Sequence, residues 1–116
     1  MGGLDLTAGQ IVWSDLDPPV GREQGGRRPC VVISSTDFSD VVEQMVILVP
    51  CTTRDRGWIN HIELSGHTGL TATTYAITEQ PRTVSVRRVV GLAGHVGNEC
   101  LAEITRWVGV WLHRAA

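Results

Sequence analysis

The 116-residue sequence lacks the features of membrane-spanning, secreted and disulfide-stabilised proteins. No apolar run approaches the roughly 20 residues that span a bilayer, and the first residues lack the basic and apolar regions of a signal peptide. The three cysteines, Cys30, Cys51 and Cys100, are odd in number and far apart, which excludes a disulfide framework. We therefore expect a cytoplasmic protein whose cysteines are buried apolar side chains.

Metal-binding motifs are missing too. The sequence has no CxxC motif, and its histidines lack the paired spacing that is typical of a zinc site. We therefore expect no metal and no other cofactor. The four histidines are His61, His67, His95 and His113.

Low-complexity tracts are also missing, and the composition is that of a folded chain, with 42% apolar and 19% charged residues. A chain of 116 residues can bury one modest core but not two. We therefore expect a single domain over residues 1–116.

The sequence also lacks lysine: all ten basic residues are arginines. The net charge of −2 argues against general affinity for nucleic acid. Eight arginines nevertheless lie in three short segments that contain only two carboxylates, Glu23 and Asp55. These segments form a phosphate-binding surface if the fold joins them, and three separate solvated loops if it does not. The eight are Arg22, Arg27, Arg28, Arg54, Arg56, Arg82, Arg87 and Arg88.

Apolar patterning predicts a chain made mostly of strands. Two nearly continuous β-branched runs, residues 30–34 and 45–49, predict central strands covered on both faces, with Pro50 ending the second. A long loop is expected over residues 15–29. Further strands are predicted at residues 10–14, 59–64 and 71–77, and one or two bent strands within residues 84–96.

One helix is indicated, at the C-terminal end. Asn98 is its expected N-cap, and an apolar stripe recurs at helical spacing. Trp107 and Val110 lie off this stripe and are expected to widen it toward a partner. The whole pattern predicts a mainly β, α+β fold, either a small barrel or a strongly bent sheet with one helix packed against it. The stripe consists of Leu101, Ile104, Val108, Trp111 and Leu112.

Several segments resemble the motifs of one protein family. The segment Gly21-Arg22-Glu23-Gln24-Gly25-Gly26-Arg27-Arg28-Pro29 is similar to a G-x-E-x-x-G-x-R-P signature. Val49-Pro50-Cys51-Thr52-Thr53 resembles a motif in which a threonine closes the central strand, and Glu79-Gln80-Pro81-Arg82-Thr83 resembles an acidic-Gln-x-Arg/Lys-Thr/Ser segment. In register from about Gly9 to Leu112, the chain resembles the MazF/PemK family.

Two loops depart from the family pattern. Ile59-Asn60 stands where members commonly have a Pro-Phe pair, and Pro81 replaces an aliphatic residue. Those loops are expected to contact bases and the antitoxin, so sequence specificity cannot be transferred from the family.

The resemblance implies an SH3-like barrel of the CcdB/Kid/MazF type with a C-terminal helix. It also implies a homodimer that cleaves single-stranded RNA without a metal and is neutralised by a MazE-like antitoxin. Without a metal, the ribose 2′-OH must attack its own phosphodiester, which leaves a 2′,3′-cyclic phosphate and a 5′-OH.

Three residues are candidates for catalysis. Arg28 and Thr52 align with the family's catalytic pair, and Glu23 aligns with an acidic loop residue. The Arg28 guanidinium suits a transition-state clamp, and the Thr52 hydroxyl can donate to the same phosphate. Glu23 is the candidate base, although it can equally be an ion-pair partner that orients Arg22 or Arg28. The other predicted RNA contacts are Gln24, Arg27, Thr53, Arg54, Arg56, Gln80 and Arg82.

Two rival functions share this fold class. One is a gyrase-poisoning toxin similar to CcdB, whose activity resides at the extreme C-terminus, but residues 111–116 here do not resemble that tail. The other is an SH3-like module that only binds protein or RNA. Cleavage of single-stranded RNA in EDTA separates the ribonuclease from both.

Overall fold

The computed structural model of the chain describes residues 5–112. Residues 113–116, which are His113 and the rest of the C-terminal tail, and residues 1–4, where a signal peptide would begin, lie outside the described residues.

The described chain forms strands and two helices in the following order. The strands are β1 (Gln10–Asp15), β2 (Arg27–Val32), β3 (Met45–Thr52), β4 (His61–Glu63), β5 (Tyr75–Ile77), β6 (Arg82–Ser85) and β7 (Val89–His95). The helices are α1 (Thr36–Val41) and α2 (Asn98–Leu112), and a 3₁₀ turn (Val86–Arg88) joins β6 to β7.

All strand pairings are antiparallel, in the order β4–β5–β3–β2–β1–β7, and β6 also pairs with β3. The first half of β3 pairs with β6, and its end pairs with β5. Pro50 was predicted to end this strand, and that prediction is wrong because β3 continues to Thr52. Pro50 lies between the part of β3 that pairs with β6 and the part that pairs with β5.

The core occupies both faces of the central strands, as their continuous apolar runs predicted. Cys30, Val31 and Val32 are fully buried in succession on β2, as are Leu48 and Val49 on β3. One cluster packs the sheet against α2 through Ile11, Val31, Val49, Cys100, Ile104 and Val108. The other fills the opposite face with Val12, Leu16, Cys30, Val32, Val46, Leu48 and Val84.

Several predicted boundaries need correction. The loop expected at residues 15–29 spans only residues 16–26, because Arg27, Arg28 and Pro29 pair with β1. The strands expected at residues 59–64 and 71–77 are only three residues each, His61–Glu63 and Tyr75–Ile77. The region 84–96 holds the end of β6, the 3₁₀ turn and β7, and β7 pairs with β1 through two register shifts.

The helices differ from expectation in two ways. Helix α1 was not predicted, because it has only six residues and none is buried. In α2, Asn98 is the first helical residue rather than the cap, since the Leu101 amide donates to the Gly97 carbonyl at 3.0 Å. The predicted stripe is buried at Ile104 and Val108, but Trp111 and Leu112 are 49% and 76% exposed.

The result is the predicted mainly β architecture, an antiparallel sheet with a C-terminal helix packed on one face. No helix among the described residues is both long and apolar enough to cross a membrane.

Candidate functional site

A groove of about 520 Å³ lies beside the end of β3. We call it the first groove. Arg28 from β2 and Thr52 and Thr53 at the end of β3 line it on one side, together with Trp13 and Pro29. The loop of residues 65–74 forms the opposite wall, with Gly69, Leu70, Thr71, Ala72 and Thr74.

Arg28 is fixed in this groove by two backbone carbonyl groups. Its Nε donates to Gly25 O at 3.0 Å and its Nη1 donates to Cys51 O at 2.9 Å. Among the described residues, Nη2 has no hydrogen-bond partner. The guanidinium thus joins the β1–β2 loop to the end of β3 and keeps one nitrogen for a ligand.

Thr52 follows Cys51, whose carbonyl oxygen accepts the hydrogen bond from Arg28 Nη1. It is the last residue of β3, and its Oγ1 accepts a hydrogen bond from the Arg54 amide at 3.1 Å. The hydroxyl hydrogen of Thr52 remains available to donate. The two predicted partners therefore present N–H and O–H donors to the same groove.

The wall opposite Arg28 is held against β7 by close backbone contacts. The His95 amide donates to His67 O at 2.9 Å. A Cβ atom at Gly94 would collide with the carbonyl oxygens of His67 and Thr68, and one at Gly69, whose φ is +70°, would collide with Ala93 O. Only glycine fits these two positions, so any larger residue would push the loop away from β7.

A second groove, of about 500 Å³, lies beside the β1–β2 loop residues 21–24. It is lined by Gly21, Arg22, Glu23, Gln24, Arg56, Trp58, His61, Ile77, Glu79 and Gln80. A smaller adjoining cavity shares Arg22, Glu23 and Gln80 and adds Pro81 and Arg82. One arginine from each of the three basic segments therefore reaches this surface: Arg22, Arg56 and Arg82.

The predicted site residues divide between these two grooves. Arg28, Thr52 and Thr53 line the first groove. Arg27 and Arg54 are exposed and line neither groove. The remaining predicted site residues line the second groove or its adjoining cavity: Glu23, Gln24, Arg56, Gln80 and Arg82.

Glu23 is thus not brought together with Arg28 and Thr52. Its Oε1 accepts a hydrogen bond from the Val20 amide at 2.8 Å, which stabilises the turn of the loop. Within residues 5–112 it forms no ion pair with Arg22 or Arg28, which was the alternative role for this residue.

Gln80 connects the β5–β6 loop to the β1–β2 loop. Its Oε1 accepts from the Gln24 amide at 3.1 Å, and its Nε2 donates to Arg22 O at 3.2 Å. Both ends of the side-chain amide are therefore occupied by backbone groups. Gln80 positions the loop that carries Arg22 and Glu23.

Sequence reasoning missed the polar network at the floor of the second groove. The His61 Nε2 lies 3.1 Å from both carboxylate oxygens of Glu79, and Asn60 Nδ2 donates to Glu79 Oε1 at 2.7 Å. Trp58 lies over the His61 ring, with centroids 4.9 Å apart. Nothing in the spacing of these residues indicated the contact, because His61 lies on β4 and Glu79 lies in the turn that follows β5.

The buried cysteines are unsuited to nucleophilic chemistry. All three are free and buried, as predicted. Burial raises the pKa of Cys30 to about 12 and holds the pKa of Cys51 well above its ordinary value.

Desolvation, with the nearby Asp55 and Glu63 carboxylates, also raises the pKa of Tyr75. Within residues 5–112, no group of three or more histidine, cysteine, aspartate or glutamate side chains could hold a metal ion.

Several known proteins are similar to this chain. Endoribonuclease toxin MazF of Escherichia coli strain K12 is 41% identical over 58 residues, which are 50% of this chain and 51% of the relative. The chain thus spans about half the length of this curated relative. Endoribonuclease EndoA of Bacillus subtilis strain 168 is 28% identical over 103 residues, covering 83% of this chain and 84% of the relative.

The third is MazF of Deinococcus radiodurans, which is similar in two crystal structures. The structure of MazF has a TM-score of 0.83 and 28% identity, and covers 95% of this chain and 98% of that chain. The MazE–MazF structure has a TM-score of 0.77 and 27% identity, and covers 97% of this chain and 100% of that chain. These likenesses confirm the predicted MazF-type fold.

A family model agrees with them. The model of the PemK-like, MazF-like toxin of type II toxin-antitoxin systems matches residues 7–112, which include both grooves. The chain therefore belongs to the family of PemK-like, MazF-like toxins.

Proposed function

We propose that this chain is a toxin that cleaves single-stranded RNA at the first groove, as a sequence-specific endoribonuclease that needs no metal ion. Family membership and the relatives named endoribonucleases support the activity. The observation that carries the proposal is that Arg28 and Thr52, distant in sequence, present their donors to one groove.

The chemistry follows from these two side chains. The 2′-oxygen forms a bond to phosphorus while the bond from phosphorus to the 5′-oxygen breaks. The 2′-OH loses its proton to a base, and the 5′-oxygen gains one. Arg28 Nη2 and the Thr52 hydroxyl stabilise the charge that develops on the non-bridging oxygens, because preorganised donors act most strongly where charge builds up. The products are a 2′,3′-cyclic phosphate and a 5′-OH.

The remaining polar residues position the RNA. Thr53 lies in the groove of the reacting phosphate, Gln24 and Arg56 line the second groove, and Arg82 lines its adjoining cavity. Arg27 and Arg54 are exposed and would contact phosphates outside these grooves. Arginine contacts to phosphate fix the register of a strand without reading its sequence. Gln80 acts in this scheme by holding the loop of Arg22 and Gln24 in place.

The expected partner is a MazE-like antitoxin. A MazF relative has been crystallised in a MazE–MazF complex. An acidic antitoxin segment would place carboxylates on the arginines that RNA otherwise uses, so the two should compete. We further propose that the chain folds as one domain, works as a homodimer and acts in the cytoplasm, where its RNA substrates are.

The test is an RNA-cleavage assay with the purified chain in EDTA. Arg28→Ala should lower turnover by roughly two to three orders of magnitude, the scale expected for loss of one preorganised donor. Thr52→Val, which removes the hydroxyl at nearly constant volume, should also lower it. The control is Arg106→Ala, which removes one positive charge from the exposed face of α2.

Each result has a defined meaning. Full activity in Arg28→Ala would show that Arg28 is not the clamp. Absence of cleavage by the unmodified chain, with RNA substrates that cover all short sequences, would contradict the proposed function.

A further inference from the structure

The peptide group between Gly25 and Gly26 is held from both sides. Its carbonyl oxygen, on Gly25, accepts the hydrogen bond from Arg28 Nε at 3.0 Å. Its N–H, on Gly26, donates to Asp17 Oδ1 at 2.6 Å. A trans peptide group is planar, and its C=O and N–H point in opposite directions, so an acceptor that fixes the N–H also fixes the direction of the carbonyl. One rigid unit therefore links the Asp17 carboxylate to the Arg28 guanidinium.

Two consecutive glycines make this peptide group easy to rotate. Glycine adopts positive φ about as readily as negative φ, and Gly26 has a φ of +73°. A larger residue does not fit at Gly25, because a Cβ atom there would collide with the Pro19 ring. Contacts other than backbone preference are therefore needed to keep the Gly25 carbonyl turned toward Arg28.

Asp17 is itself anchored at the end of β1. Arg88 Nη1 donates to the carbonyl oxygens of Asp15 at 3.2 Å and Asp17 at 2.8 Å. Leu16 between them is fully buried, and its amide donates to the Gly26 carbonyl at 2.9 Å. The segment that carries the carboxylate is thus tied to the core and to the 3₁₀ turn before β7.

We propose that Asp17 is a positioning residue for RNA cleavage and that Arg88 holds Asp17 in place. The inference rests on the proposed ribonuclease function, in which Arg28 Nη2 stabilises the charge on the reacting phosphate. Two carbonyl oxygens, those of Gly25 and Cys51, fix the plane of the Arg28 guanidinium and with it the direction of Nη2. If the Gly25 carbonyl turns away, the guanidinium is left with one hydrogen bond and can pivot about it.

Arg87 and Arg88 have different surroundings although they are adjacent in sequence. Arg87 is exposed, and its side chain forms no hydrogen bond within residues 5–112. The Arg88 side chain donates to two backbone carbonyls of the loop that carries Asp17. Arg88 therefore acts on this loop rather than on RNA. The pair gives a matched comparison, because each substitution by alanine removes one positive charge from the same turn.

The first test is single-turnover cleavage of RNA by variants of Asp17. Asp17→Ala should lower the rate about tenfold to a hundredfold, the scale expected when a preorganised group is displaced by up to 1 Å. Binding of a substrate with 2′-deoxyribose at the cut site should hardly change, because Arg28 keeps its charge. Asp17→Asn should retain most of the rate, since its side-chain oxygen can still accept from the Gly26 amide.

A double-mutant cycle separates positioning from a general effect on the loop. If Asp17 acts through Arg28, Asp17→Ala should cause no further loss in a chain that already carries Arg28→Ala. The same loss in both backgrounds, or an undiminished rate in Asp17→Ala alone, would overturn the proposal. Arg88→Ala should show the same non-additivity, and Arg87→Ala should leave the single-turnover rate nearly unchanged. Equal losses in the two arginine variants would contradict the role of Arg88.

The second test is NMR of the full chain, which needs no cleavage. The hydrogen bond to Gly25 should give the Arg28 Nε–H a resolved resonance that exchanges slowly with water. Asp17→Ala should speed this exchange about tenfold or more, because the contact opens more often. The matched control is Asp55→Ala, which removes the same kind of contact, from the Gly57 amide at 2.9 Å, in the β3–β4 loop. Exchange that is unchanged in Asp17→Ala would overturn the proposal.

Together the two tests separate this inference from the function on which it rests. Cleavage that depends on Arg28 but not on Asp17 would leave the ribonuclease intact and refute the positioning role. Faster Arg28 Nε–H exchange in Asp17→Ala, with no cleavage by the unmodified chain, would support the link between the two side chains and contradict the proposed function.

Discussion

Arg28 directs two of its nitrogens to the backbone carbonyls of Gly25 and Cys51 and leaves the third for a ligand. The fork geometry that makes arginine suitable for phosphate also makes it suitable for joining two backbone segments. Arg28→Lys would keep the charge but could not make both contacts and still reach the groove. Partial rescue at most is therefore expected from lysine at this position.

Glu23 is the candidate that the structure separates from the other two. Because its carboxylate caps the turn at Val20 and lines the second groove, we expect Glu23→Gln to change turnover by less than about tenfold. Loss of a true general base typically costs two to four orders of magnitude. A fall of that size, with RNA binding unchanged, would restore Glu23 as the base.

The buried thiols give the molecule a defined response to alkaline pH. Since burial raises the pKa of Cys30 from 9.0 to about 12, the unfolded state releases this proton first as the pH rises. Stability is therefore fully present below about pH 9 and falls between pH 9 and 12, by about 1 kcal/mol per pH unit.

Urea unfolding at several pH values checks this. Cys30→Ala should show a shallower loss of unfolding free energy above pH 9 than the unmodified chain, although it is less stable at neutral pH because it leaves a cavity. Identical slopes in both proteins would contradict the assignment.

At the scale of elements, β3 and the 65–74 loop determine where the first groove lies. β3 changes its pairing partner from β6 to β5 near this end, and Thr52 is its last residue. The loop faces this end of β3 because Gly69 and Gly94 let its backbone approach β7. The backbones of β3 and of the 65–74 loop therefore determine where the groove lies.

Two glycines allow a matched test of the loop. Gly69 and Gly57 have nearly equal φ values, +70° and +72°, but a Cβ atom would collide with Ala93 O at Gly69 and would meet nothing within 4 Å at Gly57. Gly57→Ala should cost about 1 kcal/mol for the left-handed backbone alone. Gly69→Ala should cost clearly more and should also lower RNA cleavage. Equal unfolding free energies for the two variants would show that the wall is not fixed by this contact.

The elements themselves were largely predictable, and the errors have physical causes. The β-branched runs indicated the buried central strands because two covered faces demand continuous apolar residues. Pro50 was misread because a proline in a sheet normally ends pairing, whereas here the partner strand changes at that point. Helix α1 was missed because its stability comes from the Ser35 cap, which accepts from the Phe38 amide, and not from a buried face.

At the scale of the whole molecule, apolar surface is left uncovered at the end of α2. Trp111 and Leu112 are exposed, and Trp111 stacks on Trp107 at 5.6 Å. We expect a homodimer at micromolar concentration, with twice the chain mass of 12.6 kDa by light scattering. Val110→Asp should weaken it, whereas Val41→Asp, at an 81% exposed position on α1, should not. A strictly monomeric unmodified chain would refute the dimer.

The division of the site into two grooves could not be predicted from sequence. The family resemblance named Arg28 and Thr52, and the structure places them in the lining of one groove. The same resemblance named Glu23 and Gln80, but only the fold shows that loop hydrogen bonds occupy their side chains. His61 and Glu79 are 18 residues apart and meet only because β4 pairs with β5.

The most direct test of the central claim is the chemistry of the RNA ends. If Arg28 and Thr52 promote attack by the 2′-OH, cleavage in EDTA leaves 2′,3′-cyclic phosphate and 5′-OH ends, and a substrate with 2′-deoxyribose at the cut site binds but is not cleaved. Metal-activated water would typically leave a 5′-phosphate. Cleavage of the deoxy substrate at the normal rate, or 5′-phosphate ends, would contradict the account.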